Sequence, residues 1–246
     1  MTIFNPNEPG MANGNFFALP YTLEDSGIAI ISVPWDVTTS YRPGTNEGPG
    51  AVINASVQVD LYDPLVPDAW KIKIGTVPVD ESISKKNRKF RKIAEQIIKH
   101  LEDGGDLSEV DDQLAEVNSA CCDLNEYVYK TSLIQIESGR IPVVMGGDHS
   151  TPLGSIKALA DKYEDFGILH IDAHADLRNA YEGFTYSHAS IMFNALGEIP
   201  QISQLTQVGI RDFCQEEADF INTDPRIRCF TRSEERRVGK ECRSRW

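Results

Sequence analysis

The 246 residues contain no Cys-x-x-Cys pair, and the five cysteines, Cys121, Cys122, Cys214, Cys229 and Cys242, follow no disulfide-type spacing. A disulfide framework is therefore not indicated, and a reducing compartment, the cytoplasm, is the expectation. No basic N-terminal segment leads into an apolar stretch, and no apolar run approaches the roughly 18 residues of a membrane span, so neither export nor membrane insertion is indicated. Positive charge is scarce: 24 Lys and Arg face 37 Asp and Glu, a formal net of −13. Such a surface repels phosphate backbones and argues against nucleic acid as a partner. Repeats, low-complexity tracts and interdomain linkers are also missing, and 41% hydrophobic content over this length suits one compact α/β domain.

What is present is an alternation of short apolar runs and amphipathic stretches. Residues 27–33, 141–145 and 166–171 read as buried strands, each bounded by turn residues. Residues 88–102 place Ile93, Ile97, Ile98 and Leu101 at helical spacing with basic residues elsewhere, the pattern of an outer helix. Residues 114–138 do the same with Leu114, Val117, Cys121, Leu124 and Val128, which puts Cys121 in the core. A shorter helix over 155–163 makes 141–172 a βαβ unit with parallel strands. Residues 35–50 form a Pro- and Gly-punctuated loop.

Two of these strands end in ionisable residues. Met145-Gly-Gly-Asp-His-Ser150 follows the first, and His170-Ile-Asp-Ala-His-Ala-Asp176 closes the second. Strand exits of a parallel sheet are where side chains of neighbouring strands converge on ligands. The spacing of two along Asp172, His174 and Asp176 sends all three to one face if the extended geometry persists. With His149 they make a carboxylate and imidazole donor set without thiolate, which favours Mn²⁺, and after it Fe, Co, Ni or Zn, over a structural zinc site. A plain hydrogen-bonded polar cluster is the competing reading. His170, inside the strand pattern, is expected to pack or hydrogen-bond in the sheet, and His100 to sit near an exposed helix end. Asp148 either orients His149 or caps the following turn.

Four segments in order, Gly146-Gly-Asp-His149, Asp172-Ala-His-Ala-Asp176, Ser187-His-Ala-Ser190 and Gly209-Ile-Arg-Asp212, resemble the ureohydrolase family of arginases, agmatinases and formimidoylglutamases. Residues 40–56, with an Arg-Pro-Gly turn leading through Gly-Pro into a helix, resemble the family's early loop, and the likeness runs over roughly residues 28–231. The resemblance implies a three-layer α/β/α, arginase-like fold with a mainly parallel sheet. It implies a pair of Mn²⁺ ions, His149 and Asp176 binding one, His174 the other and Asp172 bridging both. Asp176 and His188 would be the catalytic pair, Asp176 accepting the proton of a shared water and His188 acting as proton shuttle or substrate partner. No role in catalysis is assigned to Arg211 or Asp212.

A small cationic guanidino compound is the implied substrate, cleaved to urea and an amine. Tyr186-Ser-His-Ala-Ser190 resembles agmatinase sequences more than arginases, so agmatine is the first expectation, with formimidoylglutamate, arginine or another guanidino compound as alternatives in the same class. The family's second Asp-x-Asp motif has no counterpart in the 246 residues. The fold is therefore expected to be incomplete at the C-terminus, with a ureohydrolase domain over 1–231. Residues 232–246 carry a net of +3 against −16 before them and read as a non-native tail. A metal-poor, catalytically dead relative is the alternative. For the complete protein the resemblance implies a homo-oligomer, although nothing in the sequence determines the assembly.

Overall fold

The computed structural model describes residues 4–231, so the expected tail over 232–246 lies outside the described residues. Strand β1 (Ile28–Val33) is buried along nearly its whole length because neighbours flank it on both sides. It pairs in parallel with β2 (Ile74–Thr76) and with β3 (Ile141–Gly146). A second parallel sheet has the order β4 (Phe166–Ile171), β5 (Ile202–Ile210), β6 (Ile227–Thr231). The helices between them are α1 (Gly48–Ser56), α2 (Glu81–Glu102), α3 (Asp111–Glu137), α4 (Leu153–Ala160), α5 (Ile191–Glu198) and α6 (Gln215–Thr223). This is the expected α/β class with parallel pairing throughout the described residues.

The two sheets have separate cores. Ile31, Val33 and Trp35 pack with Ile97 and Ile98 of α2 and with Val117, Cys121, Leu124 and Val128 of α3, so the helical faces read from periodicity are the buried ones. Burial pushes the Cys121 thiol far above its ordinary pKa, which makes it an inert core residue. The second core gathers Ile202, Leu205 and Ile210 of β5 with Ile191, Ala195 and Leu196 of α5. Helix α2 begins seven residues before the expected position, at Glu81, because Asp80 accepts the Ser82 amide as an N-cap and Ile83 extends the apolar face.

One expectation changes. β3 and β4, joined by α4, hydrogen-bond to β1 and β5 and not to each other, so 141–172 is not a directly paired βαβ unit. A short apolar run specifies a strand but not its neighbour, which non-local packing decides. Among the described residues both are edge strands, and apolar side chains alternate outward along them: Ile141 and Val143 are 62% and 39% exposed, Leu169 and Ile171 65% and 74%.

Helix α4 approaches α3 so closely that a methyl group at Gly154 would collide with the Asn125 carbonyl oxygen and the Tyr129 amide. Neither backbone atom can swing away. Gly154→Ala is therefore expected to destabilise the fold by about 3 kcal/mol, the upper part of the overpacking range, read as a lowered midpoint in urea.

Candidate metal centre

The turn that follows β3 is stitched to the exit of β1. Gly147 donates its amide to the Val33 carbonyl at 3.0 Å, and Asp148 donates to that of Trp35 at 2.8 Å. A side chain at position 147 would occupy the space of the Trp35 carbonyl, so glycine alone permits this approach. Asp148 accepts both the amide and the hydroxyl of Ser150 and a 3.4 Å bond from the Thr39 hydroxyl. Of its two expected roles, capping the turn is the one its contacts display. Burial raises the Asp148 pKa, with the Ser150 bonds and nearby His188 opposing.

The segment after β4 is held from two directions. The Ala173 carbonyl accepts the amides of Arg211 and Asp212 at 2.8 and 3.1 Å, anchoring the Gly209-Ile-Arg-Asp212 run beside the site. Asp176 has φ of +54°, left-handed backbone that aspartate tolerates better than most residues. Its carbonyl accepts the Met192 and Phe193 amides at 3.0 and 3.3 Å, two of the otherwise unpaired donors that open α5. The buried Glu217 of α6 then accepts the Leu177 amide at 3.0 Å and the Cys214 amide at 2.8 Å.

These constraints bring four side chains together. Donor atoms of His149, His170, Asp172 and Asp176 all lie within 4.8 Å of one another. His149 Nδ1 is 2.6 Å from Asp176 Oδ2 and 3.3 Å from Asp172 Oδ2. His170 Nε2 is 3.5 Å from Asp172 Oδ2 and 4.0 Å from Asp176 Oδ2. Burial alone would lower the His149 pKa, but the Asp176, Asp172 and Asp148 carboxylates outweigh it and hold the pKa above the ordinary value. For His170 burial and the neighbouring His149 prevail, and its pKa is lowered. Burial would raise the Asp172 pKa, yet the His174 amide and the two imidazoles more than compensate, and it lies below the usual carboxylate range.

His174 stands outside this cluster. Its ring is 60% exposed, with Nδ1 3.5 Å from Asp172 Oδ1 and Nε2 3.8 Å from Asp212 Oδ2. Extended geometry ends at Ile171 and Asp176 turns left-handed, so the three residues spaced by two do not share one face. Asp172 consequently divides its oxygens: Oδ2 faces His149 and His170, while Oδ1 faces His174. His188 opens a short 3-10 helix (His188–Ser190) just before α5, its amide donating to the Thr38 hydroxyl at 3.3 Å and its ring set edge-on to Tyr181. It makes no hydrogen bond to the four-residue cluster among the described residues.

His170 is the member that sequence reasoning did not place in the site. It precedes Asp172 by two positions at the end of β4, and that local spacing, which does not extend to His174, is the signal that reaches it. The cluster is largely shielded from solvent and free of sulfur, and the His149 imidazole with the Asp172 and Asp176 carboxylates suits a divalent cation such as Mn²⁺. The Nε2 of His170 is buried and has no hydrogen-bond partner among the described residues.

Parallel strands whose carboxyl ends deliver such a donor set define an α/β protein with a candidate metal centre. The arginase family model matches residues 26–243, and the chain belongs to that family. It is 30% identical over 206 residues to an N(1)-aminopropylagmatine ureohydrolase of Synechocystis, covering 80% of this chain and 55% of that protein. It is 28% identical over 199 residues to the agmatinase of Bacillus anthracis, covering 81% and 57%. The chain thus spans little more than half the length of these relatives. Among solved structures it superposes on the agmatine ureohydrolase of Thermoplasma volcanium with a TM-score of 0.64 at 20% identity, covering 95% of this chain and 66% of that one. Proclavaminate amidino hydrolase of Streptomyces clavuligerus gives 0.62 at 20% identity, covering 93% and 66%. These likenesses establish the arginase-type fold.

Proposed function

We propose that the chain carries the metal-binding part of a binuclear manganese hydrolase that cleaves a guanidino C–N bond and releases urea, with agmatine as the first substrate. The observation that carries this reading is the division of the Asp172 carboxylate between the His149 side and the His174 side, the arrangement a bridging ligand needs. His149 and Asp176 would hold one Mn²⁺ and His174 the other, with Asp172 shared. When bound, the ions supply Lewis acidity that makes water nucleophilic near neutral pH.

The remaining work falls to the chain's own groups. Asp176 keeps a carboxylate beside the reacting water and accepts its proton. Oxygen adds to the guanidino carbon, the C–N bond breaks, and the amine leaves with a proton supplied by His188. Agmatine plus water thereby gives putrescine plus urea. Agmatinase and aminopropylagmatine ureohydrolase relatives support a decarboxylated guanidino substrate, and the net charge of −13 suits a cation.

A second reading is favoured by His174, which has only the Asp172 and Asp212 carboxylates near its nitrogens among the described residues. On that reading the chain holds one ion weakly and is inactive. Elemental analysis for manganese, paired with urea release from agmatine and from arginine, separates the two. Near two ions per chain with turnover supports the hydrolase; at most one ion without turnover supports the metal-poor relative.

A further inference from the structure

We propose that Gln207 fixes His170 as the tautomer protonated at Nε2, making His170 a positioning residue that donates a hydrogen bond to the Asp172 carboxylate rather than a further metal ligand. The inference deepens the two-ion reading and rests on it for the metal, but its first premise stands in the metal-free chain.

The starting point is the orientation of a buried amide. Gln207 Nε2 lies 2.7 Å from the Ala175 carbonyl oxygen, and a backbone carbonyl only accepts. The amide nitrogen, not its oxygen, therefore occupies that position. The same nitrogen lies 3.0 Å from His170 Nδ1. An amide NH₂ has two hydrogens, one for each partner, so Nδ1 is the acceptor and the proton of a neutral ring is on Nε2. Gln207 is fully buried, and its Oε1 has no partner among the described residues.

The far side of the ring meets the metal-binding carboxylates. His170 is 4% exposed, and its Nε2 has no hydrogen-bond partner although Asp172 Oδ2 lies 3.5 Å away and Asp176 Oδ2 4.0 Å. The His149 ring lies beside it, 5.2 Å away between centroids and tilted by 37°. A nitrogen that carries a proton has no lone pair to offer a cation. What it offers is an N–H donor 3.5 Å from the Asp172 oxygen that also faces His149. Partners behind metal ligands hold those ligands in orientation, and their loss weakens metal binding roughly 10- to 100-fold.

Two readouts test this on the whole chain. In the metal-free protein, long-range ¹⁵N–¹H correlation NMR with ¹⁵N-histidine labelling, the signal assigned by its loss in His170→Gln, is expected to show His170 protonated at Nε2. Protonation at Nδ1 or an even mixture overturns the tautomer. In Mn²⁺ titrations followed by EPR, His170→Leu is expected to lose about 10- to 100-fold in affinity, while His170→Gln, whose amide reaches the Nε2 position, stays within about threefold of wild type. Nitrogen hyperfine couplings to bound Mn²⁺ should match in wild type and His170→Gln. A coupling lost in that variant makes His170 a ligand and overturns the inference. Unchanged affinity in a folded His170→Leu overturns it too, with the two-ion reading left standing. A wild-type chain that binds no Mn²⁺ sinks that reading and the positioning role together, while the NMR result still decides the tautomer.

Discussion

Asp172→Ala is expected to remove both manganese ions at once, weakening each by more than about 100-fold, beyond what the loss of an outer partner does. The reason lies in how the carboxylate is placed. Its Oδ1 is pinned by the Ala173 and His174 amides and faces the His174 ring, while Oδ2 faces His149. On the proposed two-ion reading one side chain thus belongs to two donor sets. His174→Ala, by contrast, touches only one set and is expected to leave one ion in place. Manganese counted per chain after gel filtration should fall from two toward zero for the first variant and toward one for the second. Equal counts in the two variants would dispose of the bridging role. Asp172→Asn is a useful control, since the amide keeps the size and one acceptor oxygen but halves the acceptor set.

The second large effect concerns stability. Asp36 is fully buried, and its carboxylate accepts the Gly44 amide at 2.7 Å, the Asn46 amide at 3.3 Å, the Asn46 side chain at 2.8 Å and the Asn87 side chain at 2.9 Å. Arg91 donates to the Val37 carbonyl at 3.0 Å and to that of Thr39, bracing the same loop from α2. Asp36→Ala strands several of these donors, so a loss of about 3 kcal/mol is expected, which for a domain of this size lowers the melting temperature by roughly 6–12 °C. Burial alone would raise the Asp36 pKa, but the bonds from Asn46, Asn87 and Gly44 overcome it and hold it below the usual carboxylate range. A carboxylate lowered on folding stabilises the protein above its unfolded pKa, and that contribution vanishes as pH falls through the folded value. The gap in melting temperature between wild type and Asp36→Ala should therefore be full at neutral pH and narrow in acid. A gap that widens in acid would refute the assignment. Because Thr38 and Thr39 hold His188 and Asp148, the same variant should also loosen the surroundings of the candidate site.

Much of this was legible from residue order because local physics governs it. Ile93, Ile97, Ile98 and Leu101 announce α2, and Val117, Cys121, Leu124 and Val128 announce the buried face of α3, since a helix repeats its apolar stripe every few residues. The convergence of His149, Asp172 and Asp176 was legible from two polar strand exits. Strand neighbours were not, because β3 pairing with β1 joins segments more than a hundred residues apart. His170 was read only as a residue of the sheet, and it does bond there, to Gln207. Its second face, toward Asp172, depends on a register that an apolar strand does not spell out. The left turn at Asp176 was likewise hidden, since its support comes from the first amides of α5.

That left-handed backbone narrows what position 176 can become. Glycine and asparagine are the residues, besides aspartate, that adopt it readily, and neither brings a negative charge. Glutamate keeps the charge but strains the turn. Every single replacement there thus gives up either the shape of the loop or its electrostatics, and the position has no neutral neighbour in sequence space.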